Sequence, residues 1–489
     1  MVLSKQDRVL QERPRSDSMQ NCLDSNHNIA NLEQRIQEIL NKLAELRKSD
    51  DGHKNPKDFT ESEQSVHSLT RELGDLYAAI CLQRVLDASK DTARQAAKSH
   101  HKTMKNKGLR KVNIRFLGGT EISLIVTYYT RNCDGRCHRA KGYYPGLILL
   151  GIHDGCTSEL ASEISMACAA LSSFEEARHM LESRGCYLNI KTIRNVMKRF
   201  SARARLSQEA GGFIDGMKVD GNGRRIVVSA DGGRVRIRRT KRGRKTKKKR
   251  NRFHTDWREP KLLCIYVVDK QGRADKRFFP IIDGAVGGGP NHIFQLIQSY
   301  LKQMNITPKD KLLFVADGAL WIWDRVEDLK KALSLSNEQV YELLDFYHAV
   351  EHLSKLADLK RKWSTQERKR WVNKQRSRLK DGHIDEVINA VKYACAGSRG
   401  KEIERERDYF IKNRSRMEYR KMSRLQFPMG SGAMESTIRR VVNLRLKSPG
   451  IFWSEESANE MILLRSYYKA KRWSLIKNMA QHCVIRVAA

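Results

Sequence analysis

Twice in this chain an apolar run stops at Ala-Asp-Gly: Ile226-Val227-Val228-Ser229-Ala230-Asp231-Gly232, and Leu312-Leu313-Phe314-Val315-Ala316-Asp317-Gly318. A short apolar run closed by a turn signal predicts a strand buried on both faces, so each Asp stands where a strand leaves the core. Placed side by side, the strands set Asp231 against Asp317, and two close carboxylates repel unless something positive lies between them. A divalent metal is the natural counter-ion. Each Asp also has a plainer reading, as the residue that opens a turn with the glycine after it.

The elements around these two residues follow a recognisable order. Strands are expected over 224–231, 235–238, 261–269 and 276–283, a helix over 292–304, the strand 311–317, a helix near 327–333, and a strand over 341–348 leading into a helix. The glycine-rich stretch 284–290 lacks the Gly-Lys-Ser/Thr ending of a phosphate loop and reads as a flexible connection. A long helical region runs from Ala349 to about Gln426, and Gly430-Ser431-Gly432 then supplies the turn and cap for a helix bearing Glu435. Strands followed by helix, strand, helix, strand and helix give the order of the ribonuclease H-like fold, a mixed α/β (α+β) class. The chemistry of that fold uses two carboxylates on neighbouring strands and a third on a later helix. They converge on two magnesium ions about 3.5 to 4 Å apart. Magnesium, or manganese in its place, needs only a few protein oxygens, with water and phosphate completing the shell. Glu435 is the candidate third ligand, although a carboxylate in a helix's first turn is also favoured by the macrodipole or as a capping-box partner.

Charge identifies the partner. The 489 residues include 93 Lys and Arg against 56 Asp and Glu, a formal net charge of +37. A compact enzyme of small neutral molecules has no use for such an excess, whereas phosphate neutralisation supplies most non-specific nucleic-acid affinity. A ribosome-associated protein or a merely solvated basic surface is the plainer alternative. Eleven of the basic residues lie between Arg238 and Arg252 inclusive, with no acidic residue among them. Arg244, Lys247, Lys248, Lys249 and Arg250 are therefore candidates to hold a polyanion beside the carboxylates. No apolar run approaches the roughly 18 residues that cross a membrane, and the first residues lack a signal-peptide segment. The expected location is the cytoplasm or nucleus. The ten cysteines are scattered and read as mostly reduced thiols.

Upstream, residues 1–27 form a polar, mobile tail. Ile29, Leu32, Ile36, Ile39, Leu43 and Leu46 then mark the seam of a helix, either a self-associating coiled coil or an amphipathic helix of a helical domain. A linker over 50–58 and a second helical stretch over 61–100 follow. A hairpin with strands 112–117 and 122–129 turns at Gly118-Gly119. Cys133, Cys137, His153 and Cys156 after it form either a zinc site or a reduced cysteine cluster. Residues 158–200 are helical with a break at Gly185 to Asn189. The last helix carries Lys191, Arg194, Lys198 and Arg199, which suits a helix-turn-helix DNA reader as well as an ordinary helix pair.

Several stretches resemble bacterial insertion-sequence transposases of the Kra group. They are Thr255-Asp256-Trp257-Arg258-Glu259-Pro260-Lys261, Val315-Ala316-Asp317-Gly318, Asp345-Phe346-Tyr347-His348 and Gly430-Ser431-Gly432-Ala433-Met434-Glu435. The run Arg439 to Lys447, Phe452-Trp453, Leu463-Leu464-Arg465 and Arg472-Trp473 extend the likeness, which covers about 225–475. The resemblance implies a DDE-type transposase with Asp231, Asp317 and Glu435 as its triad, and a helical insertion before the Glu. It also implies that His348 assists at the scissile phosphate or flanking base; a core histidine is the plainer reading. Arg439 and Arg440 join the expected DNA contacts. Double-stranded element ends and target DNA become the partners, a homodimer or larger assembly the working form, and the bacterial nucleoid its setting. A catalytically silent DNA-binding descendant and a structure-selective nuclease of the same fold are the rival readings. The chain then divides into the tail (1–27), a helical region (28–105), the hairpin region (106–157) and a helix-turn-helix region (158–210). The catalytic core follows in two parts (211–348 and 429–489), flanking the insertion (349–428).

Overall fold

The computed structural model describes residues 24–48, 55–100, 104–131, 142–211, 223–247, 249, 251–397 and 400–481. The chain divides into two units, residues 1–212 with 476–489, and residues 213–475.

In the first unit, helix α1 (Ser25–Lys48) buries Leu32, Ile36 and Ile39. They share a core with Leu76, Ala79 and Ile80 of α2 (Pro56–Ala88). The seam is thus covered within the chain, as an amphipathic helix requires. Asn55 caps α2 by accepting from the Lys57 and Asp58 amides, and Ser89 separates it from α3 (Lys90–His100). Strands β1 (Met104–Arg115) and β2 (Glu121–Arg131) pair antiparallel, with Val112 opposite Leu124 and Ile114 opposite Ile122. Asp75 of α2 clasps their turn, its carboxylate accepting from the Gly118 amide at 2.8 Å and the Thr120 amide at 3.0 Å. A short β3 (Gly142–Tyr143) adds to the edge, and α4 (Pro145–Leu149) follows. Helices α5 (Ser158–Ala170), α6 (Phe174–Ser183) and α7 (Ile190–Glu209) are started by Thr157, Ser173 and Asn189, each accepting a backbone amide of its helix's first turn.

In the second unit, the apolar run ending at Asp231 forms β4 (Arg225–Gly232). Next come β5 (Val235–Thr240), β6 (Phe253–Arg258), β7 (Lys261–Val268), β8 (Ile281–Ala285) and α8 (Gly289–Gln303). They are followed by β9 (Lys311–Ala316), α9 (Leu320–Ala332) and β10 (Val340–Leu344). Five strands make one mixed sheet in the order β10-β9-β4-β7-β8. The pairs from β4 through β7 to β8 are antiparallel, whereas β4, β9 and β10 run parallel. This mixed α/β arrangement is compatible with a ribonuclease H-like fold.

The strand expected over 235–238 forms as β5, outside the main sheet, where it pairs with β6 as a separate two-stranded ribbon. Its buried Val235 and Ile237 alternate with arginines, the pattern of a strand with one solvated face, unlike the continuous apolar runs of β4 and β9. The strand expected from 276 begins only at Ile281. Asp275 instead accepts the Arg277 amide at 3.0 Å and closes a turn there. Gly284 and Ala285, expected in a flexible connection, complete β8, and Gly288 at φ +78 leads into α8.

After β10 the chain is helical, with α10 (Phe346–Leu359), α11 (Thr365–Asp381), α12 (Ile384–Cys395), α13 (Lys401–Lys412) and α14 (Tyr419–Arg424). Next is α15 (Gly432–Ile438), which passes through a π-helical turn over Arg439–Asn443 into α16 (Leu444–Leu446). Last come α17 (Glu455–Lys469) and α18 (Trp473–Gln481), two helices where one is expected.

Strand alternation gives the sheet two faces. Ile226, Val228 and Ala230 of β4, with Leu312, Phe314 and Ala316 of β9, share a core with α8 and α9. Val227, Leu313 and Val315 point the other way, into a core with α10 and the helices α11 to α14.

Candidate functional site

The site lies at the ends of β4 and β9. These strands are hydrogen-bonded from Arg225 beside Lys311 to Val228 beside Phe314. Continued in the same register, Asp231 stands level with Asp317, just beyond the last ladder pair. Because side chains alternate, Asp231 belongs to the face of Val227 and Ser229, and Asp317 to that of Leu313 and Val315. Both therefore lie on the side of the sheet that faces α10.

Burial pushes the Asp231 carboxyl up to about 6, and the Asp317 charge adds to the rise. The Gly232 amide, 2.5 Å from Asp231 Oδ1, acts in the opposite direction, as do His348 and Lys261. Lys261 opens β7 directly opposite Gly232. Its buried ammonium is 2.7 Å from Glu259 Oε1 and 4.4 Å from the centre of the Trp321 ring. Asp317 Oδ1 accepts the Ala319 amide at 3.1 Å, and the Asp317 carbonyl accepts from the Tyr409 hydroxyl at 3.1 Å. Tyr409 comes from α13 in the helical segment. Its ring stacks on His352 at 3.7 Å, and His352 Nδ1 is 2.5 Å from Glu406 Oε2. Burial and then the Asp317 charge push the Tyr409 hydroxyl well above its ordinary range, so it keeps its proton and donates.

Asp345 and His348 have different roles. Asp345 is fully buried and caps α10, accepting the Tyr347 amide at 2.7 Å and the His348 amide at 3.0 Å. Its other oxygen accepts the Ser431 hydroxyl at 2.6 Å and also the Ser431 amide. The Asp345 amide donates to the Ala316 carbonyl at 2.8 Å, and the Phe346 amide to the Met429 carbonyl at 3.0 Å. Asp345 thus ties three segments together: its amide holds the end of β9, and its carboxylate joins the start of α10 to the approach to α15. His348 is half-buried on α10, its Nδ1 3.5 Å from Glu351 Oε2.

Glu435 is exposed on α15, which packs against β4 and β7. Among the described residues, no three His, Cys, Asp or Glu side chains stand close enough together to hold a metal ion. Asp231 and Asp317 are brought together, and Glu435 sits on an adjoining helix outside that pair. Just beyond it, Arg465 of α17 is buried and donates to the carbonyls of Arg440 and Val441 within the π-helical turn, the latter at 3.0 Å.

The expected DNA contacts are distributed unevenly. Arg244, Lys247 and Lys249 are exposed at the tip of the β5–β6 ribbon, while Lys248 and Arg250 lie outside the described residues. The ribbon is anchored to Trp453, whose carbonyl accepts the Arg238 amide at 2.7 Å and whose amide donates to the Arg236 carbonyl at 3.0 Å. Exposed Trp257 and Phe253 lie on it beneath the Arg236 and Arg238 guanidiniums. Arg439 is exposed, and Arg440 Nε donates to the Ser436 carbonyl at 3.3 Å. In the first unit, Lys191 and Arg194 are exposed on α7, Arg194 lies 4.8 Å over the Phe174 ring, and Lys198 is half-buried. Arg199 instead joins Arg203 on the largely covered carboxylate of Asp154. That pairing ties α7 to the loop before α5.

Cys133 and Cys137 lie outside the described residues. Cys156 is buried and donates to the His153 carbonyl at 3.6 Å. Burial pushes its thiol up to about 12 and the His153 imidazole down to about 4.

Nothing in the sequence singles out Lys261, Trp321 or Tyr409, and Ser431, expected to cap the helix bearing Glu435, makes no side-chain cap there and gives its hydroxyl to Asp345 instead. Only Asp345 carried a local signal for its observed role, a carboxylate directly before a helical run.

No protein-family model matches this chain, and no curated protein matches it. Among solved structures it is similar to a Drosophila P element transposase strand transfer complex. The TM-score is 0.24 and the identity 9%, over 65% of this chain and 80% of that one. No helix among the described residues is long and apolar enough to cross a membrane.

Proposed function

We propose that this chain cuts and joins DNA phosphodiesters as a DDE-type transposase, with Asp231 and Asp317 as the first two carboxylates and Glu435 as the third. The observation that carries this reading is the pair of carboxylates at matching ends of adjacent parallel strands, with a basic ribbon starting at Val235, four residues after Asp231. The donor set fits magnesium or manganese: carboxylate oxygens, and a half-buried Asp231 whose raised pKa a cation would relieve. When bound, such ions activate a water or hydroxyl and neutralise charge at the leaving oxygen.

The protein's own contribution is position. Asp231 and Asp317 would hold the reacting phosphate's counter-charges at the ends of two interior strands, and Asp345 fixes His348 and the approach to Glu435. Glu435 joins the pair when DNA is bound, and His348 faces the scissile phosphate. In the cut, water forms a new bond to phosphorus as the 3'-oxygen leaves and takes up a proton. In joining, that 3'-hydroxyl forms a bond to a target phosphorus and gives up its proton, while the bond from that phosphorus to the target's own 3'-oxygen breaks and the leaving oxygen takes up a proton. The number of phosphodiesters is unchanged in the second step. The ribbon and the basic helices hold end and target DNA, and pairing of two ends calls for at least a dimer.

The test uses the full chain, a pre-cut duplex made from the repeats bordering its gene, plasmid target and magnesium. Wild type should join the duplex to the plasmid, and Asp317→Asn should bind the ends but not join them. Cutting without joining by wild type would identify a nuclease, and binding without either step a silent descendant. Full joining by Asp317→Asn would sink the triad.

A further inference from the structure

Beside the candidate site, α11 and the start of α10 border a cleft of about 340 Å³ that none of the preceding roles uses. Its walls include Tyr347, Met429, Asn373, Arg376, Ser377 and Lys380. Tyr347 lies between the capping Asp345 and His348, yet 57% of it is exposed. The ring is not loose. Its amide is held by Asp345 Oδ1 at 2.7 Å, and its edge meets Phe346 at 5.6 Å between centroids. It also covers Gly430, where a Cβ would come within 2.8 Å of Tyr347 Cδ2.

The opposite wall is one face of α11. Arg376 and Lys380 are spaced i,i+4 there, and both are exposed with no ion pair among the described residues. Elsewhere on the same helix, Arg368 pairs with Asp358 at 3.6 Å and Arg378 with Glu386 at 3.1 Å. Two carboxylates lie near the cleft: Asp345, buried and occupied by the Tyr347, His348 and Ser431 donors, and Asp381, which accepts the Ser377 hydroxyl at 3.2 Å. A fixed, exposed aromatic ring facing two cations and an amide is the combination that stacks a base and neutralises its phosphate. The volume is at the small end of ligand sites, suited to one unstacked nucleotide and too small for a duplex.

We infer that this cleft binds one unpaired nucleotide of the DNA strand adjoining the cut, its base on Tyr347 and its phosphate on Arg376 and Lys380. That the strand adjoins a cut rests on the proposed function; the binding does not. The test is therefore read on the Asp317→Asn protein, in which no chemistry is expected. End duplexes carrying a short single-stranded overhang with 5-iodo-2'-deoxyuridine at successive positions are photo-crosslinked, and the modified peptide is identified by mass spectrometry. One overhang position should crosslink at Tyr347, and the same base inside a blunt duplex should not. Arg376→Ala with Lys380→Ala should lower that crosslink several-fold. Tyr347→Ala should weaken binding of the overhang-bearing duplex by roughly tenfold or more, the ordinary effect of losing one base–aromatic stack. Tyr347→Phe should stay close to the parent, and blunt-duplex binding should not change. Crosslinks confined to the β5–β6 ribbon, or equal crosslinking of Tyr347 to blunt duplex, would overturn the inference. If the Tyr347 crosslink is found but the Asp317→Asn protein still joins DNA, the cleft stands and the catalytic assignment falls.

Discussion

The two faces of the central sheet are built from alternate residues of the same strands, yet they serve different ends. One face, Ile226, Val228, Ala230, Leu312, Phe314 and Ala316, is wholly apolar beneath α8 and α9. The other begins as core at Val227, Leu313 and Val315 and finishes in Asp231 and Asp317, where β4 and β9 lose their hydrogen bonds. Stability can therefore be stored on one side while the other bears a repelling carboxylate pair at its rim. Period-two alternation keeps the two tasks apart within a few residues.

The sharpest way to separate the faces is a pair of single substitutions. Asp317→Asn should lower joining by on the order of 10³-fold or more, the loss of several kcal/mol of charge stabilisation, with little change in urea midpoint. Phe314→Ala, three residues earlier on the apolar face, should cost about 3–5 kcal/mol of folding stability in the same denaturation. If the two profiles were exchanged, the division of labour would be wrong.

Next in size is the ribbon that leaves the carboxylate face. Replacing Arg244, Lys247 and Lys249 together by Ala should weaken DNA binding similarly for all sequences. If each contacts one phosphate, the slope of log affinity against log salt should fall by about 0.9 per residue removed. Anisotropy titrations at several salt concentrations give that slope. An unchanged slope would mean that the loop does not touch the DNA backbone.

A smaller effect reports on the carboxylate pair itself. The Asp231 carboxyl rises from 3.8 to about 6 on folding, so between these values the folded chain binds a proton that the unfolded chain releases. The stabilisation is complete below pH 3.8 and disappears as pH rises through 6. In metal-free protein this amounts to about 1–3 kcal/mol. Asp231→Asn should flatten that pH dependence and raise Tm at pH 7. Magnesium should recover stability for wild type and not for the variant. A wild type whose Asp231-linked stability grew from pH 4 to 7 would contradict the burial of this group.

The smallest change concerns the strut from the helical segment. Tyr409→Phe removes the hydrogen bond to the Asp317 carbonyl and should cost about 0.5–1.5 kcal/mol. Joining should fall a few-fold, with more magnesium needed for half-maximal rate. Loss of stability with an unchanged magnesium requirement would limit Tyr409 to packing.

Much of this was legible in the chain alone because it depends on local pattern. The two apolar runs ending in Ala-Asp-Gly, the basic loop between Arg238 and Arg252, and the helical segment after His348 each bear their own signal of burial, charge or period. Glu435 could likewise be placed on a helix, since Gly and Ser before a helical run announce its start. Ribbon and central strand were harder to separate, because a run as short as that at Val235 differs only in whether its second face is apolar.

What the sequence could not decide was contact between distant segments. The parallel register of β4 and β9 sets Asp231 level with Asp317, but no residue in either run specifies that partner. Asp345 reads as half of a motif with His348, and only folding shows its carboxylate filled by Tyr347, His348 and Ser431. Tyr409 reaches Asp317 from 92 residues away. Residue type and spacing determined which groups were available for chemistry. The tertiary structure decided which carboxylates meet, which one is spent as a tie, and where an aromatic ring stays exposed, because burial and pairing are properties of neighbours in space.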